Sequence, residues 1–173
     1  IVRKTAPTAH ASHRVRIIAG RYRRTPIAVL DRPGLRPTPD RVRETLFNWL
    51  SHLIADLGPV RGLDLFAGSG ALGFELASRG ARQVLLVERD PVLVRALIGV
   101  RERLGAEGIE VLQADALEQA RRLPAGSFDL IFVDPPYQGP LLRPALQLAV
   151  RLLAPRGLLY AEADRELTDD ELQ

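Results

Sequence analysis

Leu63-Asp64-Leu65-Phe66-Ala67-Gly68-Ser69-Gly70-Ala71-Leu72-Gly73 is the stretch on which the fold turns. A short apolar run meets three glycines at the Gly-x-Gly-x-x-Gly spacing (Gly68, Gly70, Gly73), and an apolar helical pattern follows. Glycine in such a strand–turn–helix lets the backbone approach a nucleotide-type ligand closely. A tight strand–helix crossing that binds nothing uses the same residues. Gly-Lys-Ser/Thr is absent, so the loop is not a P-loop, and Ala67 stands where a nucleophile elbow built on Ser69 needs a glycine.

Working outward, apolar runs at 62–66, 83–87, 109–112, 128–133 and 157–161 alternate with helical patterns at 70–79, 91–104, 116–122 and 141–153. Pro91 after Asp90 starts the second helix and Gly105 after Leu104 stops it. Strands alternating with helices of this length predict βαβ units and a mostly parallel, doubly wound α/β sheet. The pattern stops soon after its fifth strand, at Glu171-Leu172-Gln173, and further C-terminal strands are expected beyond it. Methionine is absent, the initiator included, so the chain is expected to be part of a longer product.

Ahead of this body, residues 1–13 show no period and are expected as a disordered tail. Arg14-Val15-Arg16-Ile17-Ile18-Ala19 and Pro26-Ile27-Ala28-Val29-Leu30 predict a hairpin with the basic tip Gly20-Arg21-Tyr22-Arg23-Arg24. A Pro/Gly-rich linker at 31–37 leads to Thr38-Pro39-Asp40, which reads as an N-cap, a proline at the first helical position and an acid in the first turn. Val42, Leu46, Trp49, Leu50, Leu53, Ile54 and Leu57 then recur at helical spacing until Gly58-Pro59. The expected organisation is a tail at 1–13, a basic hairpin and helix at 14–58, and the α/β domain at 59–173.

Composition narrows the function classes. With 46% hydrophobic and 26% charged residues the chain is globular in type. The lack of cysteine excludes disulfides, thiolate nucleophiles, iron–sulfur clusters and cysteine zinc sites. His10, His13 and His52 stand at no metal-ligand spacing with a carboxylate, so no metal is expected. No apolar run reaches about 18 residues, and residues 1–7 lack a signal-peptide core, so the expectation is a cytoplasmic protein. The net charge of +3 hides a polarity: residues 1–45 carry a balance of +8 and the remainder −5. Such asymmetry is a footprint of nucleic-acid contact or, equally, of a solvated basic arm. Every base except Lys4 is arginine, which suits bidentate phosphate binding.

Chemistry concentrates at strand ends. Glu88 closes the second strand, twenty residues after Gly68, where a carboxylate meets a ribose diol. Nicotinamide and S-adenosylmethionine enzymes share that arrangement. Asp115, after the third strand, suits either an adenine amine or the cap of the next helix. Asp134-Pro135-Pro136-Tyr137 directly follows the fourth strand and so faces the crevice of the glycine loop. Proline fixes the backbone and offers no N–H, leaving a stiff run of carbonyls beside a carboxylate and an aromatic ring. Two acceptors and one ring suit a planar base bearing an exocyclic amine.

Asp134-Pro135-Pro136-Tyr137 resembles the (Asn/Asp)-Pro-Pro-(Tyr/Phe) motif of methyltransferases acting on base amines, and Phe66 to Gly73 looks like their cofactor loop. Arg36-Pro37-Thr38-Pro39-Asp40-Arg41-Val42-Arg43-Glu44-Thr45-Leu46-Phe47-Asn48-Trp49-Leu50, with Arg16-Ile17-Ile18-Ala19-Gly20, closely resembles RsmD, the bacterial 16S rRNA guanine-N2 methyltransferase family. The likeness spans roughly residues 14 to 163; the segment before Arg14 is unmatched, and the family's last strands are expected beyond the end of this sequence.

The resemblance implies a class I S-adenosylmethionine-dependent fold, Rossmann-like, with S-adenosylmethionine as methyl donor. It implies Asp134, Pro135 and Tyr137 at the reacting base, with Asp64, Ala67, Gly68, Gly70, Glu88 and Asp115 around the cofactor. Arg16, Arg21, Arg23, Arg24, Arg36, Arg41 and Arg43 are the expected phosphate contacts and Tyr22 a stacking partner, giving affinity and register rather than base identity. The implied partner is 16S rRNA, one guanine being modified in an assembling small ribosomal subunit by a monomeric enzyme. A DNA adenine-N6 methyltransferase and a nicotinamide-dependent oxidoreductase are the alternatives. The chain has no room for a separate DNA-reading domain, and no Tyr-x-x-x-Lys or histidine is placed for hydride transfer.

Overall fold

The computed structural model describes residues 11–32, 38–136 and 140–163, so the expectations for 1–10, Arg36 and Tyr137 lie outside the described residues. In chain order the elements are β1 (Ala11–Arg16), β2 (Pro26–Leu30), α1 (Asp40–Leu53), β3 (Arg61–Asp64), α2 (Ala71–Ser78), β4 (Gln83–Glu88), α3 (Pro91–Leu104), β5 (Ile109–Gln113), α4 (Ala116–Arg122), β6 (Phe128–Val133), α5 (Leu142–Leu152) and β7 (Leu153–Ala161). Strands β3 to β7 form one all-parallel sheet in the order β5-β4-β3-β6-β7. The chain winds outward from β3 to β5, then returns to the other side of β3, so the crevice between β3 and β6 is the switch point where such sheets bind ligands.

The period-2 alternation of strands builds both faces of this sheet. On β6, Leu130 and Phe132 join one core with Val84 and Leu86 of β4, while Ile131 and Val133 join another with Leu63 and Val87. The first core is closed by α1, α2 and α3, the second by α4 and α5, whose Ala145, Leu146, Ala149 and Leu152 are fully buried. The antiparallel hairpin of β1 and β2 places Val15, Ile17, Ile27 and Val29 in the first core, so the N-terminal hairpin shares its hydrophobic interior with the sheet.

Several boundaries differ from the sequence expectation. Strand β1 begins at Ala11, inside the expected tail, because Ala11 and His13 pair with Leu30 and Val29. Helix α1 ends at Leu53, before Gly58-Pro59, with Ile54 turning extended. Thr38 does not cap it: Pro39 holds the cap position and the Thr38 hydroxyl is engaged elsewhere. The buried face of α1 is Arg43, Leu46, Phe47 and Leu50, whereas Val42, Trp49 and Leu53 of the expected apolar set face outward. Strand β7 begins four residues early because α5 runs straight into it, with a register shift opposite Phe128 to Leu130 that takes up Ala154-Pro155-Arg156-Gly157. Among the described residues no helix is long and apolar enough to cross a membrane.

Candidate active site

Every strand of the parallel sheet is followed to an acid at its carboxyl end. Asp64 and Glu88 close β3 and β4, Asp134 and Glu162 are the first residues past β6 and β7, and Asp115 stands just past β5. All of them line one cavity of about 540 Å3, together with Ala67, Gly68, Pro135 and Pro136. Residues far apart in sequence thus meet because parallel strands deliver their ends to one edge.

The glycine loop forms the floor. Gly70 has a φ of +80°, and a Cβ there would stand 2.6 Å from both the Leu97 and Phe74 side chains. A Cβ on Gly73 would overlap Leu86, so α2 reaches its seat on β4 only with glycine at that position. Asp64 lies beneath, 2% exposed, its carboxylate accepting the backbone N–H groups of Gly73 and Phe66. Burial first, then the neighbouring Asp134, pushes the Asp64 carboxyl up to about 7. This residue, expected among the cofactor contacts, lines the cavity and also faces the loop backbone.

Glu88 does double service. Its Oε2 accepts the Gly68 N–H at 3.0 Å and its Oε1 the Asp90 N–H at 2.8 Å. A carboxylate has about four acceptor sites, so roughly two remain for a ligand. Asp90 caps α3 through the Val92 N–H at 2.7 Å and pairs with Arg32 at 3.2 Å, which sets a guanidinium on the cavity wall. Asp115 Oδ1 caps α4 through the Leu117 and Glu118 N–H groups, each at 3.0 Å. Its Oδ2 has no hydrogen-bond partner among the described residues, so capping leaves an acceptor free beside the cavity.

Asp134 is largely buried, and that burial, followed by the charge of Glu162, raises its carboxyl to about 7. The two are neighbours by register: Val133 pairs with Ala161, and the Glu162 N–H donates to the Val133 carbonyl at 3.0 Å. Glu162 Oε1 accepts the Thr38 hydroxyl at 3.0 Å and the Tyr160 hydroxyl at 3.2 Å. Burial and Glu162 hold the Tyr160 hydroxyl above its ordinary pKa, so it remains a donor. Sequence reasoning missed Glu162, Thr38, Tyr160 and Arg32. The signal for Glu162 was available, since it follows the fifth predicted strand as Asp134 follows the fourth.

The expected RNA contacts divide. Arg16, Arg21, Arg23, Arg24 and Arg41 are exposed. Arg16, Arg23 and Arg24 line a second recess of about 290 Å3, where Asp40 and Glu44 partly offset their charge. Arg43 does not belong with them. It is fully buried, donates to the Thr38 and Arg16 carbonyls and to Asp40, and faces the equally buried Glu75 at 3.7 Å. Glu75 in turn accepts the Ile18 and Ala19 N–H groups and the Arg79 guanidinium, so this network ties the hairpin and α1 to α2. Tyr22 is half-buried: its ring packs on the first core and the Arg21 guanidinium lies 5.4 Å from its centroid. Arg43 looks like surface chemistry in a basic segment, and periodicity alone does not reveal that it turns inward. Among the described residues no group of three or more histidines, cysteines and acids is arranged to hold a metal ion.

Comparison with known proteins follows the same lines. The family described as conserved hypothetical protein 95 matches residues 15–172. Ribosomal RNA small subunit methyltransferase D of Escherichia coli strain K12 is 40% identical over 162 residues, 92% of this chain and 80% of that relative. The chain belongs to the ribosomal RNA small subunit methyltransferase D family. A Haemophilus influenzae protein of the same name is 40% identical over 170 residues, covering 94% of this chain and 86% of its own length. The solved structure of yhhF from Escherichia coli superposes with a TM-score of 0.77 at 36% identity, over 87% of this chain and 81% of that one. Membership in the methyltransferase D family makes the chain a methyltransferase, and its sheet is the Rossmann-like class I methyltransferase sheet.

Proposed function

We propose that the chain transfers a methyl group from S-adenosylmethionine to the exocyclic N2 amine of a guanine in 16S rRNA. The observation that carries this is the shared cavity: the Asp134-Pro135 turn and the Gly68–Glu88 contact line the same space.

The residues fit such a cofactor. It is a cation with a ribose diol and an adenine amine, and it would meet a wall rich in carboxylates. The spare acceptor sites on Glu88 suit the diol, and the unpartnered Oδ2 of Asp115 suits the adenine amine. Gly68 would lie against the methionine part, with Ala67 and Ser69 beside it; Gly70, expected there too, is not among the residues lining the cavity and serves the turn through its positive φ. When bound, the cofactor supplies an electrophilic methyl on a positively charged sulfur.

The chain's own work is orientation and charge. An exocyclic amine conjugated with its ring is a poor nucleophile because its lone pair is delocalised. Asp134 and the Pro135 carbonyl, both at the cavity wall, accept its two N–H groups and favour a pyramidal nitrogen with the lone pair directed at the methyl. As the new N–C bond forms, positive charge grows on nitrogen beside the Asp134 carboxylate, an interaction strengthened by the water-poor site. The proton becomes acidic only after transfer, and a carboxyl raised to about 7 is basic enough to take it. Holding the reactants in line accounts for ~7–11 kcal/mol in favourable intramolecular models. Tyr137, three residues after Asp134, is the stacking aromatic in this scheme, where one base–aromatic contact contributes about 1–3 kcal/mol.

Radiolabelled methyl transfer tests the substrate class. Label from S-adenosylmethionine is expected in 16S rRNA or in small-subunit particles and not in duplex DNA; label in DNA adenine instead would support the alternative amine.

A further inference from the structure

We infer that Glu162 reads the N1–H of the target guanine, with Thr38 and Tyr160 holding its carboxylate in place for that purpose; this rests on the proposed guanine-N2 activity. Glu162 lies at the carboxyl end of β7 and lines the cavity with Asp134 and Pro135. The β6–β7 register puts it beside Asp134 on the adjacent strand, at a spacing of about 4.8 Å between strands. Neighbours in parallel register project to the same face, so the two carboxylates serve one bound base.

The asymmetry within Glu162 is informative. One oxygen, Oε1, takes both donors, Thr38 Oγ1 at 3.0 Å and Tyr160 Oη at 3.2 Å. The other, Oε2, has no hydrogen-bond partner among the described residues. Thr38 is 6% exposed, so the clamp on Oε1 is shielded from water while the side chain still reaches the cavity. A carboxylate fixed through one oxygen and open at the other is a directed acceptor.

The Watson–Crick edge of guanine supplies the matching donor. Beside its N2 amine stands N1–H; beside the amine of adenine stands a bare N1 lone pair. With Asp134 and the Pro135 carbonyl engaged on N2, an extruded guanine would lose its N1–H bond to solvent unless a further acceptor met it. Glu162 meets that need, and sets a negative oxygen against the lone pair of an adenine-like base. Asp-Pro-Pro-Tyr is compatible with either amine, and Glu162 supplies the selection.

The test compares 16S rRNA carrying guanine or 2-aminopurine at the methylated position, since 2-aminopurine keeps the N2 amine but has an unprotonated N1. The wild-type chain is expected to prefer guanine by about 100-fold in kcat/KM, the scale at which an unmet polar partner is rejected. Glu162→Gln, whose amide can turn its N–H2 towards N1, is expected to reduce that preference at least about tenfold, one hydrogen bond's worth. Comparing the two ratios cancels the intrinsic reactivity of the bases. Glu162→Ala should also lose preference, but without improved turnover of 2-aminopurine. Unchanged S-adenosylhomocysteine affinity in both variants shows that the fold is retained. Wild-type transfer to guanine with the same preference in Glu162→Gln overturns this inference alone. A wild-type chain that methylates neither base overturns the activity and this inference together.

Discussion

At the scale of single residues, the cavity concentrates carboxylates, which suits the cationic donor and the developing ammonium nitrogen of the proposed reaction. In that proposal Asp134 is the residue through which both effects act. Its carboxyl is raised to about 7 by burial and by Glu162, so a substantial fraction is protonated at neutral pH. In the proposed reaction only the ionised form neutralises the growing charge and can take the proton. Single-turnover methyl transfer should therefore rise with pH through about 7 and level off above it. Asp134→Asn keeps the shape and one acceptor oxygen but removes the charge. It should be slower by about 10²–10³, the usual loss for one preorganised transition-state contact, and should lack the pH step. A wild-type rate that is flat between pH 6 and 8 would remove Asp134 from this role.

At the scale of elements, α1 is the most instructive. Its apolar residues stand at helical spacing, yet only part of the stripe the sequence suggests is buried: Leu46 and Leu50 turn inward, with Phe47 and Arg43 beside them, while Val42, Trp49 and Leu53 face out. Phe47 is 1% exposed and packs against Phe132 with ring centroids 6.0 Å apart, whereas Trp49 is 66% exposed. Phe47→Ala should cost about 3–5 kcal/mol by denaturant unfolding, while Trp49→Ala should stay within about 0.5 kcal/mol. Equal losses would mean that the helix is rotated. Arg43, on the same buried face, is the charge at the centre of the hairpin–α2 network. Arg43→Ala leaves Glu75 buried without that partner and should destabilise by about 3–5 kcal/mol. The sequence displays the sheet, its glycine loop and four of the strand-end acids because strand periodicity and turn residues are local signals. It does not display the Arg43–Glu75 pair, since a charged residue on an amphipathic helix normally faces water, nor the Thr38–Glu162 bond, which joins residues 124 positions apart.

At the scale of the whole molecule, a basic N-terminal segment is fused onto the body by a shared core and a buried ion network, while the candidate cavity opens at the carboxyl end of the sheet. Substrate affinity and chemistry should accordingly be separable. With about four of the exposed arginines on phosphates, binding of 16S rRNA should weaken with salt at a log–log slope of about −3 to −4. Arg41→Ala should reduce that slope by about one without changing stability; a slope near zero would take the RNA role from this segment. The central claim is that the Asp134 turn and the cofactor loop act on one guanine amine in a single cavity. Its most direct test is mass-spectrometric mapping of 16S rRNA after incubation with S-adenosylmethionine and either the wild-type chain or Asp134→Ala. The account predicts N2-methylguanosine at one position with the wild type and none with the variant, although the variant still binds RNA and S-adenosylhomocysteine. Full modification by Asp134→Ala, or methylation of a different base atom by the wild type, would contradict it.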